Sequence, residues 1–221
     1  MNTEMARFNM IQQQIRPWDV LDAGVLALFD AVRREDFVPA KYQELAFADV
    51  EIPLKDGALP GQTLFAPRVE ARFLQELAIR NSDKVLEIGA GSGHMAALLA
   101  AKAEFVYAVE IDPELADQAR RNLQKAGVAN VSVDLGDASQ GWDVHAPYDA
   151  IVVSGSLPAL PETLLRQLKI GGRLVAIVGE APSMEAQRVR RDDENGFSSK
   201  NLFETVAAPL INAPRQEKFV F

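Results

Sequence analysis

The chain has 221 residues, no cysteine, two histidines, and 31 acidic against 23 basic residues, a formal net charge of −8. A disulfide framework, a thiolate nucleophile and a cysteine-ligated zinc are therefore excluded, and a negative surface disfavours nucleic acid as a bulk partner. With 48% hydrophobic and 24% charged residues, one globular domain, or one with an appendage, is expected.

The first residues, MNTEMARFNM, hold no apolar stretch of the kind that directs export, and the longest apolar run, residues 95–101, is stopped by Lys102. Neither export nor a membrane segment is supported, and a cytoplasmic location is expected. Residues 5–15 and 22–34 have helical spacing, the first helix being ended by Pro17. An irregular stretch begins at Phe37-Val38-Pro39. Residues 49–66 contain Pro53, Gly57, Pro60 and Gly61 and read as a loop or hairpin, after which residues 68–78 resume a helix. Residues 1–80 thus predict a helical and loop region lying as a lid over the mouth of the remaining fold, residues 81–221, within one structural domain.

From Lys84 the texture changes. KVLEIG, FVYAVE, VSVDLGD, YDAIVVSG and GGRLVAIVG alternate with the helical patterns MAALLAAKA, PELADQARRNLQKAG and PETLLRQLK. That cadence predicts a parallel sheet with helices on both faces, its central strands apolar at consecutive positions because both sides are covered. Asp112-Pro113 supplies an N-cap and a proline at the first helical position, and Gly127 closes the same helix. After Gly179, AQRVRRD and NLFETVAAPL, separated by Glu194-Asn195-Gly196, predict an antiparallel pair that finishes a seven-stranded sheet.

The strongest local signal is Glu87-Ile88-Gly89-Ala90-Gly91-Ser92-Gly93, which follows a strand and opens a helix. Glycines there let the backbone approach a ligand and aim helix N-terminal amides at it. A dinucleotide fingerprint, G-x-G-x-x-G/A, needs glycine or alanine where this chain has His94, and the third glycine comes one residue early. The G-x-G-x-G form preceded by an acid resembles the first motif of class I S-adenosylmethionine-dependent methyltransferases. Glu110, ending the second strand of the sheet, is placed to accept both ribose hydroxyls, and Asp137, after the third, to accept the adenine amino group. Both sit at the strand ends where ligands bind in open α/β sheets. Ile111, Ala138 and Ser154 complete the candidate cofactor set with Ala90 and Ser92.

These residues carry a wider likeness. VRREDFVP, AFADVEIPL, GQTLFAP at residues 61–67, VLEIGAGSG, VYAVE, APYDAIVVSGSLPALPETLLRQLKIGGRLVAIVG and LFETVAAPL together resemble, in order and along nearly the whole chain, the protein-L-isoaspartate O-methyltransferase family. The resemblance implies a doubly wound, Rossmann-like methyltransferase with S-adenosyl-L-methionine as donor, S-adenosyl-L-homocysteine as product, and isoaspartate in a damaged protein or peptide as acceptor. The family's loop reads like GQTISQP, with a serine where this chain has Phe65. A Thr-Ala-Ala-type run beside its fourth strand is here Ser154-Gly155-Ser156, and its frequent tyrosine after the glycine motif is His94.

Thr63, Phe65, Ser154 and Ser156 are accordingly the candidate acceptor-site residues. A carboxylate acceptor is already ionised at neutral pH and needs no general base, which suits a chain with two histidines. His94 reads as a helix-start residue packing beside the ligand, with a general base as the alternative, and His145 as a solvated loop residue. Arg33-Arg34 and the Arg188, Arg190, Arg191 group read as solvated faces. No spacing suggests a metal, and the motif of many nucleic-acid amino methyltransferases, asparagine or aspartate followed by Pro-Pro-Tyr or Pro-Pro-Phe after the fourth strand, is absent. The replacement at Phe65 leaves two alternatives open: a methyltransferase of the same fold with another acceptor, or a non-catalytic cofactor-binding or interaction protein.

Overall fold

The computed structural model describes residues 2–214. Its centre is a seven-stranded sheet of β3 (Lys84–Ile88), β4 (Phe105–Glu110), β5 (Val131–Leu135), β6 (Tyr148–Leu157), β7 (Leu168–Glu180), β8 (Ser183–Arg191) and β9 (Phe197–Glu204), in spatial order β5-β4-β3-β6-β7-β8-β9. The first five in that order are parallel, and β8 and β9 are antiparallel additions. From β3 the chain steps outward through β4 to β5, then returns to the other side of β3 with β6. Strand order reverses there, and a crevice opens above the carboxyl ends of β3 and β6, the place where ligands bind in such sheets. Val85, Leu86, Glu87 and Ile88 are buried in succession, as a doubly covered strand requires.

Of the helices, α4 (His94–Ala100) is buried along its whole length, so its alanine-rich sequence is a packing requirement. Helix α5 (Pro113–Lys125) is capped as read from the sequence: Asp112 accepts from the amides of Glu114 (2.9 Å) and Leu115 (3.3 Å). The short α6 (Glu162–Arg166) covers the other face.

Before the sheet, α1 (Thr3–Asn9) runs into a π-helical turn, Met10–Ile15, where the sequence predicts one continuous α-helix. The predicted helix 22–34 is shorter. Asp22 caps α2 (Ala23–Ala31), and Arg34 starts a separate 3₁₀ turn, Arg34–Asp36, with 1% of its surface exposed. The solvated-face reading of Arg34 is thus corrected. The 49–66 segment is a hairpin, β1 (Ile52–Pro53) with β2 (Thr63–Leu64), leading through Pro67 into α3 (Pro67–Leu77). Gln75 on α3 ties this region to the N-terminal segment by bonding the amides of Leu21 and Asp22 and the carbonyl of Asp19.

The C-terminal run departs from expectation too. Predicted as strand through Leu210, it leaves the sheet after Glu204 and folds back over β6, where Ser156 N–H donates to Ala208 O and Leu210 N–H to Ser156 O, both at 2.9 Å. Pro209 and Pro214 limit the pairing this segment could offer as a regular edge strand. Among the described residues, no helix is long and apolar enough to cross a membrane, and no group of three or more His, Cys, Asp or Glu side chains could hold a metal.

Candidate active site

The crevice is a cleft of about 890 Å³, counted out to its open mouth. Glu87 to Ser92 form its floor, Glu110 and Ile111 and then Gly136 to Ser139 one wall, Thr63 to Phe65 and Glu70 another, and Ser154, Gly155 and Ala208 to Ile211 the third. The sheet and the hairpin together bring Glu87, Gly89, Ala90, Gly91, Ser92, Glu110, Ile111, Asp137, Ala138, Ser154, Thr63 and Phe65 to one pocket.

The glycine loop is shaped for close approach. Gly89 has φ +89°, and a Cβ there would lie 3.1 Å from the Ser154 carbonyl oxygen. Gly93, also left-handed at φ +83°, makes room for protein as Gly89 does, since a Cβ would meet Leu123 and Ala119 of α5 at 3.2–3.4 Å, but unlike Gly89 it does not line the cleft. It lets α5 pack on the loop.

Glu87 is fully buried. Ser154 Oγ donates to its Oε1 at 3.2 Å, while Oε2 has no partner. Burial pushes this carboxyl well above the usual carboxylate range; the Ser154 bond opposes that, and the charges of Glu70 and Glu110 add to it. A buried carboxylate oxygen without a donor, aimed into a cleft, calls for a cationic or N–H-bearing ligand.

Glu110 is 6% exposed and organises the loops around it. Its Oε2 accepts from Gly91 N–H (2.8 Å) and its Oε1 from the amides of Ile111 (2.9 Å) and Asp112 (3.0 Å). Asp137 accepts from Ser139 N–H and from Asn212 Nδ2, each at 2.9 Å. Partial burial pushes the Asp137 carboxyl up, but those bonds outweigh it and hold the group below the usual range.

The acceptor candidates divide. Thr63 Oγ1 donates to Glu51 at 2.7 Å at the cleft wall. Phe65 is buried, its ring meeting Phe73 edge-on at 6.1 Å between centroids. Ser154 faces the cleft. Ser156 does not: its hydroxyl donates to Ala207 O at 3.0 Å and fastens the C-terminal segment, which corrects its assignment to the acceptor site.

Sequence reasoning missed Glu70, Gln62 and the Ala208 to Ile211 wall. Gln62 Nε2 donates to Asp112 Oδ2 (2.9 Å), and Lys55 Nζ reaches the same oxygen (3.0 Å), so the hairpin is clasped to the start of α5. Glu70 was detectable. It sits three, four and seven residues before Phe73, Leu74 and Leu77 on the buried stripe of α3, where an acid requires partners. His145 keeps 34% of its side-chain surface exposed, as its solvated reading expects, and stacks on Tyr107 at 3.9 Å.

Fold, switch-point cleft and glycine loop with acids at successive strand ends define a class I S-adenosylmethionine-dependent methyltransferase. The sequence pattern of the protein-L-isoaspartate(D-aspartate) O-methyltransferase family matches residues 6–214, and the chain belongs to that family. Similar relatives include protein-L-isoaspartate O-methyltransferase 2 of Pelobacter propionicus, 44% identical over 96% of this chain and 93% of its own. Another, protein-L-isoaspartate O-methyltransferase of Protochlamydia amoebophila, is 40% identical over 91% and 95%. A solved protein-L-isoaspartate O-methyltransferase superposes with a TM-score of 0.77 at 25% identity, covering 94% of this chain and 66% of that one. A Plasmodium falciparum structure in complex with S-adenosyl-L-homocysteine shares the fold, with a TM-score of 0.79 at 19% identity.

Proposed function

We propose that this cleft binds S-adenosyl-L-methionine and esterifies the α-carboxyl of L-isoaspartyl residues in damaged proteins, with no metal and no nucleic acid involved and in the cytoplasm, where a cysteine-free chain is at home. The single observation that carries the reading is the orphaned, buried Glu87 Oε2 at the base of a glycine loop, flanked by Glu110 and Asp137. When bound, the donor supplies a methyl group on a sulfonium. Glu87 would hold the donor's ammonium. Glu110 has about four acceptor sites, as any carboxylate, three of them taken by backbone amides. It would therefore accept one ribose hydroxyl, on Oε2, rather than both. Asp137, held by the amide and the hydroxyl of Ser139 and by Asn212, would take the adenine amino group.

For the acceptor, the chain's part is alignment and exclusion of water. Thr63 and Ser154 line the cleft with their hydroxyl hydrogens engaged by Glu51 and Glu87, Phe65 and Leu54 supply apolar cover, and an ionised carboxylate needs no base. Among the described lining residues there are four carboxylates, Glu70, Glu87, Glu110 and Asp137, and no lysine, arginine or histidine. An anionic acceptor is therefore accommodated only beside the positive donor, which favours entry of the donor first.

Two outcomes are expected. An isoaspartyl peptide and labelled methyl donor should yield a base-labile ester, and Phe65→Ser should raise kcat/KM about tenfold, the worth of one hydroxyl bond to a charged acceptor, assayed below the lowered thermal midpoint that loss of the Phe73 contact entails. Absence of ester with either protein would remove the isoaspartyl reading. Secondly, S-adenosylhomocysteine, which keeps the amino group, should release a proton on binding. Glu87, its pKa raised, holds a proton below that pKa and must lose it to face an ammonium, so release falls to zero and affinity rises as pH rises through it. Calorimetry in buffers of different ionisation enthalpy reads this directly, and Glu87→Gln should show no buffer dependence.

A further inference from the structure

Beneath the acceptor loop lies a charged group that the reaction as derived does not use. Arg34, Glu70 and His94 are each at most 1% exposed. Arg34 Nη1 donates to Glu70 Oε2 and its Nη2 to the Phe65 carbonyl at 2.6 Å. His94 Nδ1 lies 3.0 and 3.1 Å from the two Glu70 oxygens. An ionised carboxylate only accepts, so the hydrogen is on Nδ1. The imidazole is fixed further by the rings of Phe37 and Phe29, edge-on at 5.3 and 6.3 Å.

The order of contacts matters. His94 is the residue after the glycine loop and the first of α4, with its own amide on Ser92 Oγ (3.3 Å). Phe65 is in the acceptor loop, at the position of the family serine. No backbone hydrogen bond need link the two loops, because Glu70 and Arg34 do so through side chains. Buried ionic hydrogen bonds tolerate little displacement, since a partner that drifts leaves a charge unsatisfied in a medium without water. We infer that His94 and Arg34 are positioning residues: through Glu70 they couple the cofactor loop to the acceptor loop, so that filling the first orders the second. The inference rests on the cofactor and acceptor assignments above, yet its test needs no methyl transfer.

Backbone amide exchange of residues 62–66 would be followed in the full chain with and without S-adenosylhomocysteine, in the parent protein, His94→Asn, which keeps a donor near the Nδ1 position, and His94→Leu, which has none. His94→Leu should exchange in this loop about tenfold faster, the loss of one charge-assisted bond, while residues 85–88 of β3 keep their rates. S-adenosylhomocysteine should slow loop exchange in the parent and in His94→Asn but not in His94→Leu. Unchanged loop exchange in His94→Leu overturns the inference, as does His94→Asn behaving like leucine. So does an equal acceleration of β3, which would mark His94 as a packing residue alone. An inactive enzyme toward isoaspartyl peptide alters none of these readings.

Discussion

Glu110→Ala is expected to weaken S-adenosylhomocysteine binding about a hundredfold, ~2.7 kcal/mol. The carboxylate accepts from the amides of Gly91, Ile111 and Asp112 at 2.8–3.0 Å, in a setting only 6% exposed. Bonds to an ionised acceptor are worth roughly 1.5–3 kcal/mol each. Alanine removes all three at once and any ribose contact with them. The Gly91 amide would be left without its partner, and the glycine loop would keep its bonds from Gly89 and Ala90 to the Val109 carbonyl but lose the one at its crest. Glu110→Gln keeps one acceptor oxygen in the same shape and should fall between parent and alanine. Calorimetry with S-adenosylhomocysteine checks the series; a change of less than about threefold in Glu110→Ala would show that the loop holds its form without this side chain.

The residues of the cofactor half were legible because their placement follows from short-range rules. An acid and three glycines after a buried strand, and acids at the ends of the next two, are set by strand periodicity and by the parallel order of β3, β4 and β5. Gly93 of the same motif lies off the cleft and packs against α5. The pattern that specifies a glycine does not say whether the missing Cβ makes room for a ligand or for α5.

The acceptor half was less legible, for a reason of distance along the chain. Glu70 meets residues 36 positions before it and 24 after it, and Arg34 reaches a carbonyl 31 positions away. No local spacing encodes such pairings. Only the presence of Glu70 on an apolar helical stripe hints that partners exist, without naming them. The turn of the C-terminal segment back over β6 is similar: NLFETVAAPL has strand-like composition throughout, and its end is taken from the sheet by Ser156, whose amide, carbonyl and hydroxyl are all engaged with residues 207–210. A serine read as acceptor chemistry proved to be the fastening of a pocket wall.

The buried triad makes a stability claim as well. Burying a guanidinium costs several kcal/mol of hydration, and in Arg34 burial lowers the pKa despite the opposing charge and hydrogen bond of Glu70. The pair persists because each ion satisfies the other. Arg34→Met retains length and apolar bulk but leaves Glu70 charged, dry and held by His94 alone. Breaking a buried pair on one side typically costs about 3–5 kcal/mol. At 2–4 °C per kcal/mol for a domain of this size, the thermal midpoint should fall by roughly 6–20 °C. Replacing both ions with apolar residues of similar volume is often neutral or better, so Arg34→Met with Glu70→Leu should recover most of that loss. Recovery should stay incomplete, because the Phe65 carbonyl loses its donor and His94 its acceptor. Thermal unfolding of the two variants beside the parent decides the matter. A single variant within about 2 °C of the parent, or a double variant no more stable than the single, would show that the ionic partnership does not dominate at this site, and that the cost of Arg34 lies in its packing against the loop instead.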